Sequence, residues 1–274
     1  MNCLIIGDMG KGTEDQGNVA RSLSKLTKRY KTKFVLGLGD NIYPDGCKDV
    51  KDPLFQSHFE QPYSILPDHT WYMCLGNHDY GYQVTSTGFK DNSINQVKYT
   101  NHSKKWYMPS KYYSFIQGPV EFFYLDSNMD RMSESVIQSQ LRAMKEKLDK
   151  SKKKFKVVVG HHTWRSVAGH GNAERRYEIF LNDLFKDTKP TMYLCGHDHC
   201  KSLLVKDGIT LGILGTGGEA YSDYPICLDN LHDCQLDYFS PSLGGGVLKI
   251  GDDQLTLKFF NEKGFCEYTH TIKK

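Results

Sequence analysis

Apolar positions along this chain come in short runs, most of which stop at a glycine followed by polar residues. Leu4–Gly7, Phe34–Gly39, Trp71–Gly76, Phe122–Leu125, Phe155–Gly160 and Met192–Gly196 are such runs. Their length and their β-branched and aromatic content predict buried strands. Between some of them the spacing becomes helical. Gly17–Lys31 places Val19, Leu23, Leu26 and Tyr30 on one face, Ser133–Lys150 places Val136, Ile137, Leu141, Met144 and Leu148, and Glu174–Phe185 places Tyr177, Phe180, Leu181 and Leu184. After about residue 200 the pattern is mostly β: Ser202–Val205, Ile209–Leu214, Gly246–Ile250, Gln254–Phe260 and Gly264–Ile272, separated by turn residues. The polar stretch 81–112 reads as a long loop, and loops of that length are usually functional.

Composition narrows the class without naming it. The 274 residues are 39% hydrophobic and 24% charged, enough for a globular core. Net charge is 35 − 32 = +3, so neither a basic nucleic-acid surface nor an acidic tail is expected. No apolar run approaches the roughly 18 residues of a membrane span. The opening residues show no leader pattern, so the expectation is action where the chain is made, or a leader already removed. The eight cysteines have irregular spacing and no CxxC pair, and read mostly as buried thiols.

Chemistry enters at five junctions. Gly7-Asp8, Gly39-Asp40-Asn41-Ile42-Tyr43, Gly76-Asn77-His78-Asp79, Gly160-His161-His162 and Gly196-His197-Asp198-His199 each follow an apolar run. In α/β sheets ligands gather at the carboxyl ends of strands, so residues distant in sequence can converge. Any one junction alone reads as a cap, a turn or a core residue, but five in series predict a dinuclear metal site. Carboxylate, imidazole, amide and phenol donors favour hard to borderline ions, with Asp40 bridging two of them. Two ions close together serve in-line displacement at a phosphoester, a metal-bound hydroxide being the nucleophile. Gly215-Thr216-Gly217-Gly218 is expected beside the metals, or as a plain turn.

The set GD…GDNxY…GNHD…GHH…GHDH resembles the calcineurin-like metallophosphoesterases and, within them, the small tartrate-resistant type of purple acid phosphatase. Tyr43 discriminates, because protein Ser/Thr phosphatases have Arg and Asp at their second motif, and Glu where Asp79 stands. The resemblance implies Fe(III) held by Asp8, Asp40, Tyr43 and His199. It implies a second ion, Fe(II), Zn or Mn, held by Asp40, Asn77, His161 and His197. It assigns catalysis to His78 and His170, and substrate contact to Asn77, His78 and His170. His162 departs from the Tyr usual after the metal-binding His, and Cys200 from the Asn usual after GHDH.

The fold expected is α/β, a calcineurin-like metallophosphoesterase sandwich of two mixed β-sheets flanked by helices, with residues 1–274 forming one domain. The expected activity is hydrolysis of phosphate monoesters, on small esters or phosphoproteins, by a monomer. Two rivals stand: a Zn or Mn phosphodiesterase or nucleotide phosphatase of the same superfamily, and a metal-binding scaffold without catalysis. The loop 81–112 and the segment 219–241, with Tyr221, Tyr224, Tyr238 and Phe239, are the expected substrate rim.

Overall fold

The computed structural model describes residues 1–85, 88–221 and 226–274. Two seven-stranded mixed sheets pack face to face. In the first, Asn2–Ile6, Phe34–Gly37, Thr70–Tyr72 and Trp106–Tyr107 run parallel. Gly244–Ile250, Gln254–Asn261 and Cys266–Lys273 extend this sheet antiparallel beyond Asn2–Ile6. In the second, Val120–Tyr124, Phe155–Val159, Met192–Cys195 and Ile209–Leu214 run parallel. Tyr113–Gln117 closes one edge, and Lys201–Lys206 with Gln235–Ser240 close the other.

The apolar runs are continuous because both faces of these strands are buried. Alternate residues point to opposite faces. Phe122, Tyr124, Val157, Val159, Met192 and Leu194 join the core between the sheets. Their neighbours Phe123, Leu125, Val158, Tyr193 and Cys195 join a second core with Ile137, Met144, Leu148, Tyr177, Phe180 and Leu184. Those six residues lie on the helices Glu134–Lys150 and Arg175–Thr188. The helix Glu14–Tyr30 covers the outer face of the first sheet, against Asn2–Ile6 and Gly244–Ile250.

Several boundaries differ from the sequence expectation. The first helix begins at Glu14, because Thr13 caps it by accepting from the Gln16 N–H at 3.4 Å, and Gly17 falls inside the first turns. Val136 is exposed. The stretch 81–112 is not one loop: it contains the helix Ser93–Tyr99 and the strand Trp106–Tyr107. Aromatic packing decides this, with Phe55 stacked on Tyr99 at 3.6 Å and Trp106 Nε1 donating to Gln96 O at 2.9 Å. Within 219–241, Gln235–Ser240 is an edge strand, and Tyr224 lies outside the described residues. Five of the eight cysteines are buried, and all eight are free thiols.

Candidate metal centre

Parallel pairing puts the carboxyl ends of the five strands that carry the candidate ligands on one edge of the sandwich. Asp8, Asp40, Tyr43, Asn77 and His78 come from the first sheet, and His161, His197 and His199 from the second. The sheets are stitched together at this edge, where Gly7 N donates to Leu214 O at 2.9 Å. Asp8, Asp40 and His197 adopt left-handed backbone conformations, with φ of 55°, 49° and 70°. Such conformations cost on the order of 1–3 kcal/mol each and cluster at functional sites. The turns have no room for side chains. A Cβ on Gly76 would sit 2.1 Å from Asp40 Oδ1, and one on Gly196 would sit 2.2 Å from Asp8 Oδ2.

Two donor sets share Asp40. The Tyr43 hydroxyl lies 2.9 Å from Asp40 Oδ2, 3.3 Å from Asp8 Oδ1 and 3.2 Å from His199 Nε2. His199 Nε2 is itself 3.4 Å from Asp8 Oδ1. At the same Asp40 oxygen, Oδ2, His161 Nε2 lies 3.5 Å away, and it is 3.1 Å from Asn77 Oδ1. Asp8, Asp40 and His161 offer ligand atoms all within 4.8 Å of one another. The His161 Nδ1–H donates to Leu38 O at 2.8 Å, so Nε2 is the ring nitrogen that faces Asp40 and Asn77. His197 enters through its backbone N–H, which donates to Asp8 Oδ2 at 2.9 Å. Its ring packs beside His161, His162 and His170, with centroids 5.0, 4.4 and 4.1 Å away.

The electrostatics are those of a site built for cations. Burial pushes the Tyr43 phenol well up, and the charges of Asp40 and Asp8 push it further. Burial opposes ionisation of Asp40, but the charges of His161 and His78 outweigh it and hold the carboxyl below the usual carboxylate range. Burial lowers His161, yet Asp40 and Asp8 bring it up to about 9. Burial, then the surrounding imidazoles, push His197 well down. Two carboxylates, a phenol, an amide oxygen and the imidazoles of His161 and His199 converging on one spot, with the His197 ring packed beside His161, fit hard to borderline divalent or trivalent ions.

The two histidines expected in catalysis border the set. The His78 backbone N–H donates to Asp40 Oδ1 at 3.0 Å, and its Nδ1 lies 2.7 Å from Pro44 O. His170 stacks on His197 beside a cavity of about 580 Å³ lined also by Asn77, Tyr82, His162, Arg176 and Tyr177. The Gly-rich turn reaches the site, since a Cβ on Gly215 would lie 2.9 Å from Asp8 Oδ2.

Residues that sequence reasoning passed over organise this edge. Asp79, read only as a family marker, accepts from the N–H groups of Asn41, Ile42 and Gly76 at 2.9, 3.1 and 2.8 Å. It also accepts from Asn41 Nδ2 and Gln96 Nε2, at 3.0 and 2.6 Å. The turns carrying Asp40 and Asn77 are thus tied to one buried carboxylate. Ser127 Oγ accepts from the backbone N–H groups of His161 and His162 and lies 2.7 Å from His162 Nδ1. Asn77 Nδ2 donates to the Tyr82 hydroxyl. Asp79 had a signal in the GNHD motif and Tyr82 falls in the expected rim 81–112, whereas the role of Ser127 had no signal.

Mixed sheets whose parallel strands end in Asp, Asn, Tyr and His at one shared edge define a metal-binding phosphoesterase. A model of the calcineurin-like phosphoesterase family matches residues 1–201, and the chain belongs to that family. Purple acid phosphatase 4 of Arabidopsis thaliana is 28% identical over 288 residues, spanning 95% of this chain and 80% of the relative. Tartrate-resistant acid phosphatase type 5 of Rattus norvegicus is 30% identical over 243 residues, spanning 78% of this chain and 71% of the relative. With these relatives the chain is an acid-phosphatase-like hydrolase of the purple acid phosphatase group. GAP50, the anchor in the inner membrane complex of Plasmodium, superposes with a TM-score of 0.85 at 21% identity, over 100% of this chain and 88% of that one. A purple acid phosphatase from yellow lupin (Lupinus luteus) seeds superposes with a TM-score of 0.76 at 16% identity, over 100% and 53%. These two likenesses establish the fold alone. Among the described residues, no helix is long and apolar enough to cross a membrane.

Proposed function

We propose that residues 1–274 act as one domain that hydrolyses phosphate monoesters at a two-ion centre. Asp8, Asp40, Tyr43 and His199 hold a ferric ion. Asp40, Asn77, His161 and His197 hold Fe(II), Zn or Mn. The observation that carries this reading is the Tyr43 hydroxyl, which lies within 3.3 Å of donor atoms from Asp40, Asp8 and His199. A phenol in that position becomes a hard anionic ligand only when a strongly charged ion replaces its proton. When bound, the ions supply the hydroxide nucleophile and the positive charge that the phosphate oxygens need.

The protein's own residues do the rest. Asp79 and Ser127 hold the turns in register, and the backbone of His78 is fixed by Asp40. With the His78 Nδ1–H donating to Pro44 O, Nε2 is the nitrogen left to protonate the departing alkoxide. His170 contacts the substrate from the cavity side, and the alcohol portion of the ester lies in the cavity lined by Tyr82, Arg176 and Tyr177. Water adds across the P–O bond, with no covalent intermediate on the chain.

Metal analysis and a visible spectrum of the purified protein, with rates on monoesters and diesters, test this. The expected result is iron, a visible band and monoesterase activity that falls more than about a hundredfold in Asp40→Asn. A colourless, active protein holding only Zn or Mn would overturn the ferric assignment in favour of the phosphodiesterase or nucleotide phosphatase reading. Full turnover in Asp40→Asn would overturn the two-ion mechanism. A protein that binds metal without turnover would be the scaffold.

A further inference from the structure

One ion pair lies across the outer side of the Tyr43 and His199 ligands. Lys11 Nζ sits 4.0 Å from the centroid of the Tyr43 ring and 2.5 Å from Glu219 Oε2. The same Glu219 oxygen is 3.4 Å from His199 Nδ1, the ring nitrogen that faces away from Tyr43. The Tyr221 ring stacks on His199 with centroids 4.2 Å apart and planes 11° apart. The two segments are locked together: Thr13 Oγ1 donates to Gly218 O at 3.3 Å, and a Cβ on Gly218 would touch Lys11 Cγ at 3.0 Å. Lys11 is therefore held over the ring by packing as well as by charge.

We propose that Lys11, anchored by Glu219, is a positioning residue that sets the donor strength of the Tyr43 ligand. This rests on the ligand assignment proposed above. An ammonium within about 6 Å of an aromatic face draws on its π density, more so when partly desolvated. A phenolate under such a cation gives less electron density to the ion it holds. Glu219 faces the distal nitrogen of His199 at 3.4 Å with no hydrogen bond between them, and its role is to hold Lys11 in place over the ring. One salt bridge thus holds in place the cation that weakens the phenolate donor.

The test loads the full chain with ferric ion and records the visible band and the reduction potential for wild type, Lys11→Met and Lys11→Arg. Lys11→Met keeps the length and removes the charge, so its band moves to longer wavelength and its potential falls. Lys11→Arg keeps the charge over the ring and restores both. Equal unfolding midpoints of the metal-free proteins separate this from a folding defect. Glu219→Gln removes the anchor of Lys11 and shifts the band in the same direction as Lys11→Met. A band and potential unmoved in Lys11→Met overturn this inference alone. A wild-type protein with no ferric band overturns the ferric assignment and this inference with it.

Discussion

The Tyr43 hydroxyl donates to Asp40 Oδ2 at 2.9 Å, across three residues of a turn that begins with Asp40 in a left-handed conformation. The turn that bends the chain out of its strand also brings a phenol onto the carboxylate shared by both donor sets. Tyr43→Phe keeps the ring that packs against His78 at 4.3 Å and removes only the oxygen. The expected outcome is loss of the visible band with unfolding free energy changed by about 1 kcal/mol. Absorption spectroscopy and urea denaturation measure the two effects separately.

Asp79 tests whether the turns are held by one residue. Its carboxylate accepts five N–H donors from two loops and one helix, while burial and then the Asp40 charge push its pKa up. Asp79→Ala leaves buried donors without acceptors, so stability falls by about 3 kcal/mol or more. Asp79→Asn keeps the shape but turns an amide NH₂ toward other donors, and is expected to lose metal as well. Chemical denaturation and metal content after dialysis report these losses.

Gly196→Ala puts a methyl group 2.2 Å from Asp8 Oδ2, too close for both to stay. The strand beneath ends in Leu194 and Cys195, both buried, and stays in place. The carboxylate must move instead. The expected result is metal affinity lowered about 10- to 100-fold in a protein that still unfolds cooperatively. Equilibrium dialysis against the metal reads this; unchanged affinity would contradict the close approach.

Away from the site, Asp233 gives the acid limb of stability a specific cause. Arg165 Nε and Nη2 donate to its two oxygens at 2.8 and 2.7 Å, and Lys206 Nζ donates at 2.6 Å. The hydrogen bonds from Arg165, opposed by burial and supported by Lys206, hold this carboxyl well below the usual range. A carboxyl lowered in the folded state stabilises the fold above its unfolded pKa of about 3.9. That stabilisation is lost as pH falls through the lowered value. Asp233→Asn is therefore expected to melt a few degrees lower at pH 7, with the two melting curves converging below about pH 4. A constant difference at all pH values would reject this assignment.

The five junctions were legible in the sequence because each combines two local signals. A short apolar run with both faces buried makes a parallel strand, and a glycine with a polar donor marks its carboxyl end. From Gly7-Asp8 to His197-Asp198-His199, those signals place each donor at the carboxyl end of its strand without any knowledge of contacts. The helix Ser93–Tyr99 was not legible, because its stability comes from Tyr99 stacking on Phe55 and from Gln96 reaching Asp79, not from apolar periodicity of its own. Ser127 was invisible for the same reason: its role exists only because the strand before it, Val120–Tyr124, lies beside the one leading to His161.

Local patterning thus determined the strands, their order of ligands and the donor chemistry, since each depends on residues a few positions apart. Tertiary packing alone decided which donors share Asp40, and it closed the turns around Asp79. It also laid Lys11 against Tyr43 and Glu219, the latter 219 − 11 = 208 residues away. Such contacts depend on how two sheets register against each other, and no short-range spacing encodes that register.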